Sequence, residues 1–115
     1  MSDDKKEAGQ KPLEKARVEV EAEPNNRHNQ RDREVAGRAA RRVKEAVEKE
    51  LSKPENKQAG SDKQLHEADQ ALNRERDQVP GKHVKSIRVK VSGEREDERG
   101  KIERVTRERE VKPGD

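Results

Sequence analysis

The sequence predicts a small, partly disordered α+β protein. A helical hairpin is expected over about 31–51 and 62–79, with a short β element at 84–91 that pairs either with 16–22 or with 102–111. Three observations lead there. Two stretches alternate apolar and charged residues with period two, and the chain between them repeats its apolar residues at helical spacing. Bulky aliphatic side chains are also scarce: eleven Val, four Leu and two Ile serve 115 residues that contain no Phe, Trp or Tyr. That is below the one-fifth share at which disorder becomes the default, because so few side chains return only a fraction of the entropy that ordering costs. The expected organisation is a mostly disordered segment over 1–30 holding the strand 16–22, the hairpin over 31–79, and a charged tail of strand and coil over 80–115. A second copy or another partner is expected to complete the core, which places a homo-oligomer among the expected states.

The first element is "ARVEVEAEP", in which Ala16, Val18, Val20 and Ala22 alternate with Arg17, Glu19, Glu21 and Glu23 before Pro24. Such alternation marks a half-buried strand, and proline ends it. From Arg31 the period becomes helical: Val35, Ala39, Val43, Ala46 and Leu51 share a face that Ala36, Ala40 and Val47 widen. Asn29 or Asp32 can cap this helix, and Pro54 stops it. The second helix has Leu65, Ala68, Leu72 and Val79 on a narrow stripe, with "SDKQ" offering Ser61 and Gln64 as a capping box. After Pro80-Gly81, "HVKSIRVKVSG" returns to period two, with Ile87, Val89 and Val91 opposite Arg88 and Lys90. If this strand pairs with 16–22, Glu19, Glu21 and Glu23 complement Arg88 and Lys90. The segment 102–111 is ambiguous, since Ile102 and Val105 are spaced for a helix and Val105 and Val111 for a strand.

Charged residues are 48% of the chain, yet 29 Lys and Arg against 26 Asp and Glu leave a net charge of only +3. The basic excess sits in two blocks, 25–60 and 82–115. Within "GRAARRVKEAVEKEL" and the turn before it, Arg31, Arg38, Arg42 and Lys49 fall in one narrow sector of the helix, with Arg41 beside them. These five are the candidate partner-binding residues. A basic stripe of this kind suits an acidic partner, either nucleic acid or an acidic protein. Charge runs are more often solvated faces, however, and Glu34–Arg38 and Glu45–Lys49 are spaced to pair with each other along the helix.

Other function classes find little support. Single-strand recognition usually stacks bases on aromatic rings, which this chain lacks, and the interhelical loop "SKPENKQAGSDK" has no two-glycine clamp for a nucleic-acid backbone. His28, His66 and His83 form no metal-ligand spacing and read as exposed, cysteine is absent, and no phosphate-binding or nucleophile motif occurs. No catalytic, cofactor-binding or metal-binding residue is therefore expected, and the protein is read as non-enzymatic. No apolar run approaches a membrane span, and "MSDDKKEAGQK" is polar throughout, so an intracellular, soluble protein, cytoplasmic by default, is expected. The preferred reading is a highly charged interaction protein whose basic amphipathic helix docks on an acidic surface. The alternative is a hydrophilin-like, largely disordered stress-protective protein.

Overall fold

A computed structural model describes residues 8–114. Three strands form one antiparallel sheet in the order β1 (Glu14–Pro24), β2 (Val84–Glu96), β3 (Ile102–Val111). One face of the sheet carries α1 (Gln30–Ser52) and α3 (Ser61–Arg76), joined by the single-turn α2 (Pro54–Lys57). The two expected partners of 84–91 are thus both used: β2 is the central strand, and it runs five residues past the predicted end.

Registers follow from the alternation. Val18, Val20 and Ala22 of β1 lie opposite Val91, Val89 and Ile87 of β2, all turned toward the helices. On the other face Glu19 is set against Lys90 and Glu21 against Arg88, the charge match anticipated from the sequence. Residues 102–111 resolve as a strand, whose helix-side positions Val105, Arg107, Arg109 and Val111 lie opposite Gly93, Val91, Val89 and Ile87. Two arginines break the apolar alternation there, and both bond to Asp69 of α3, Arg107 at 2.7 Å and Arg109 at 3.1 Å. A carboxylate supplied by the helix thus substitutes for apolar packing over β3.

The expected partial disorder is not found. Residues 8–114 form one ordered α+β unit, and whatever part of that expectation falls on residues 1–7 lies outside the described residues. The composition argument failed because nearly every apolar side chain is put to use. Of the seventeen bulky aliphatics, twelve are buried, Leu13, Val20, Leu51 and Val105 pack on the rim of the core, and only Ile102 is left exposed. Ala36, Ala39, Ala68 and Ala71 are buried with them, filling the helix side of the core with small residues. Arg42–Glu75 and Gln64–Asn56 contacts show α1 and α3 running antiparallel, as the hairpin predicted.

Polar ties do the rest. The proposed capping box is not formed: Gly60 is the N-cap of α3, and Ser61 and Gln64 serve a different purpose. Ser61 is fully buried; its N–H donates to Lys11 O at 2.8 Å, and its hydroxyl lies 3.3 Å from Ala8 O. Gln64 Oε1 accepts from Leu13 N–H at 2.8 Å, while its Nε2 donates to Asn56 O at 2.9 Å. Asn56 Nδ2 continues to Glu50 O at 2.7 Å. This clasp fastens residues 8–13 to α3 and α3 to the end of α1. Gly60 is needed where it crosses the N-terminal segment, because a Cβ there would sit 2.6 Å from Gln10 Cα. At the other end of α1, Asn29 caps the helix by accepting from Asp32 N–H at 2.9 Å.

Replacing Gln64 by Ala leaves Leu13 N–H without a partner, while Asn56 O keeps the Ala59 N–H, and is expected to lower unfolding stability by about 1–3 kcal/mol, the cost of one orphaned group. Urea unfolding followed by far-ultraviolet circular dichroism measures it; a loss under about half a kcal/mol would show the clasp to be dispensable.

Candidate docking face on helix α1

Helix α1 forms because its apolar residues make one continuous stripe. Val35, Ala36, Ala39, Val43 and Val47 are buried against β1, β2 and α3, which leaves the charged residues on the remaining surface. Arg31, Arg38, Arg41, Arg42 and Lys49 are all exposed there. They do not share one role. Arg42 reaches across to α3, where its Nε lies 3.0 Å from Glu75 Oε2 and its Nη2 bonds to Gln78 Oε1. Arg42 is a helix–helix tie that sequence spacing alone could not distinguish from the stripe.

The other four are different. The intrahelical pairs expected for Arg38 and Lys49 are not made, and Glu34 instead accepts from Gln30 Nε2 at 3.2 Å. Among the described residues Arg31, Arg38, Arg41 and Lys49 have no ion-pair partner. Two of the helix's five acidic residues are turned inward. Asp32 is buried and lies 2.7 Å from His83 Nδ1. Glu50, 8% exposed, is held by Lys53 at 2.9 Å and Arg74 at 3.4 Å. The exposed surface of α1 therefore carries seven basic side chains against Glu34, Glu45 and Glu48.

The outer face of the sheet has the opposite balance. Its outward positions over 17–23, 86–96 and 102–110 carry seven glutamates against Arg17, Arg88, Lys90 and Arg104. Glu108 and Glu110 flank Arg88 at 3.4 and 3.7 Å. The small net charge thus conceals two oppositely charged faces.

His28 and His66 are exposed as expected, but His83 is not: the Asp32 contact holds it partly buried at the start of β2. With Asn25, whose N–H donates to His83 O at 2.9 Å and whose Nδ2 lies 2.7 Å from Gly81 O and Lys82 O, it binds the β1–α1 turn to the α3–β2 turn. Among the described residues no cluster of three His, Asp or Glu could hold a metal ion. No helix described is long and apolar enough to cross a membrane.

One concavity was invisible in the sequence. A β-bulge at Lys15–Ala16, with Lys15 at φ 55°, sends both residues to the same cleft, about 450 Å³, between β1 and the α1–α2 corner. Leu13, Val18 and Leu51 give it apolar walls, with Lys57 and Glu48 among its polar lining.

No family model, curated protein or solved structure matches the chain, so its residues alone carry the functional reading.

Lys53 donating to Glu50, with Arg74 nearby, holds the Glu50 carboxyl below its ordinary value near 4.5, outweighing the opposing effect of burial. A depressed folded-state pKa means that this contribution to stability is present above the ordinary carboxylate range and is lost as pH falls through the folded value. Glu50→Gln is therefore expected to be less stable than the parent at neutral pH and to match it in strong acid. A stability gap that persisted unchanged in acid urea titrations would contradict this assignment.

Proposed function

We propose that the protein is a non-enzymatic docking module whose α1 face binds a rigid acidic polymer, with duplex nucleic acid the favoured occupant. The observation that carries this reading is the balance of charge on α1: it exposes seven basic side chains, all but Arg42 without an ion-pair partner among the described residues, against three exposed glutamates, because Asp32 and Glu50 are buried. Arg31 and Lys49 lie eighteen positions apart on one helix, about 27 Å. Over that distance a duplex presents about sixteen phosphates. Such binding needs neither a pocket nor aromatic rings, and it does not read sequence. The rival based on a largely disordered protectant loses its premise, because residues 8–114 are ordered.

Four phosphate contacts predict that affinity for a mixed-sequence DNA duplex falls about two orders of magnitude between 50 and 200 mM salt. The double substitution Arg38→Gln and Arg41→Gln is expected to weaken binding and reduce the salt slope by about two, while Lys90→Gln on the sheet face changes neither. Arg42 is left intact in this test because it ties α1 to α3. Fluorescence anisotropy with a labelled duplex measures all three. Salt-insensitive binding, or full binding by the double variant, would overturn the proposal, and saturable binding to an acidic polypeptide without binding to the duplex would replace nucleic acid with protein as the occupant.

A further inference from the structure

The sheet ends on two strands, and only one of them carries a bulge and a proline. Strand β1 carries the bulge at Lys15–Ala16, ends at Pro24, and has Glu19, Glu21 and Glu23 along its outer face. Any two-fold pairing of β1 with a second copy through Glu19, Val20 or Glu21 sets glutamate against glutamate. Bulges, prolines and charged side chains are the usual protections of an exposed edge, and β3 has only the last of these. Strand β3 has no bulge against β2 and no proline within Ile102–Val111.

The hairpin loop fixes which groups of β3 face outward. Asp97 N–H donates to Lys101 O at 2.6 Å, and Gly100, at φ 82°, donates to Asp97 O at 3.0 Å, so Asp97 and Lys101 close the ladder as a hydrogen-bonded pair. Hydrogen-bonded and non-hydrogen-bonded pairs alternate along an antiparallel ladder. The N–H and C=O groups of Ile102, Arg104, Thr106, Glu108 and Glu110 therefore point away from β2. None of them has a hydrogen-bond partner among the described residues.

The order of charges along β3 is complementary to itself. About a two-fold axis at Thr106, an antiparallel second copy places Arg104 opposite Glu108 and Glu103 opposite Arg109, each twice, with Thr106 facing Thr106. Moving the axis to Arg107 sets Arg107 against itself, and moving it to Val105 sets Lys101 against Arg109. One register alone of these satisfies the charges. Arg104 has no ion-pair partner among the described residues, so it is available for this contact. Ile102, at 59% exposed the one large apolar side chain left in solvent among the described residues, lies on the same edge.

We propose that β3 pairs with β3 of a second copy, antiparallel about Thr106, to make a continuous six-stranded sheet held by about ten backbone hydrogen bonds. The contact closes on itself, because it uses the same strand of both copies. It is independent of the α1 reading, since it uses no residue of that helix.

Sedimentation velocity of the full chain across a concentration series tests the proposal. The parent protein is expected to form dimers. Arg104→Glu and Glu108→Arg are each expected to raise the dimer dissociation constant by about ten-fold, because two symmetry-related pairs change from attraction to repulsion. Mixing the two single variants restores both pairs across one heterodimer, and the dimer should return. Thr106→Pro removes an outward N–H without touching the ladder to β2 and is expected to be monomeric. Circular dichroism confirms that each variant is folded, and the charge swaps keep the test decisive if the proline variant is not. A parent that stays monomeric at millimolar concentration, single swaps that dimerise like the parent, or a mixture that fails to recover would each overturn it.

Discussion

The scarcity of apolar side chains constrains everything else in this protein. A sheet and two helices must be joined mainly with Val and Ala, a few Leu and Ile and no aromatic ring, so the core is one thin layer between the sheet and the helices. Small side chains bury little area each, and the interior can afford no idle position. Val43, Val47 and Ile87 are fully buried for that reason, and Leu72 closes the same layer from α3. Where the layer runs out, charged and amide groups take over, with Asp69 under Arg107 and Arg109 at one margin and the Gln64–Asn56 clasp at another.

That division explains what the sequence made legible. Period-two alternation located β1 and β2, and the charge match between Glu19, Glu21 and Lys90, Arg88 anticipated their pairing. Helical spacing located α1 to within a residue at each end. These features are visible because each residue's role is set by its neighbours along the same element. The features that escaped depend on groups distant in sequence. Gln64 holds Leu13 across 51 positions, and His83 holds Asp32 across the same number. The strand character of 102–111 was obscured for a related reason, because Arg107 and Arg109 occupy inward positions that only Asp69 makes tenable. Order over 8–30 also rests on such long-range ties, which composition does not register.

The candidate site was legible in kind but not in detail. Sequence spacing brought Arg31, Arg38, Arg42 and Lys49 together on the helix, and the structure separates Arg42 from them by giving it Glu75 and Gln78. Intrahelical spacing also suggested that Glu34 and Glu45 would neutralise Arg38 and Lys49, yet those pairs are not made. The burial of Asp32 and Glu50 matters more, because it removes negative charge from the helix surface by a route that no pattern along one helix could reveal.

Two faces of opposite sign give the protein an electric dipole despite its small net charge. Near a polyanion, such a molecule experiences a torque before it experiences contact, and the torque turns α1 forward and the glutamate-lined sheet away. Its orientation at first encounter is then no longer random, and for the proposed docking of α1 this bias would raise the share of productive collisions. Because the field that does this is screened within about 10 Å at 0.1 M salt, the alignment acts only over a last stretch of approach shorter than the protein's own 18 Å thickness.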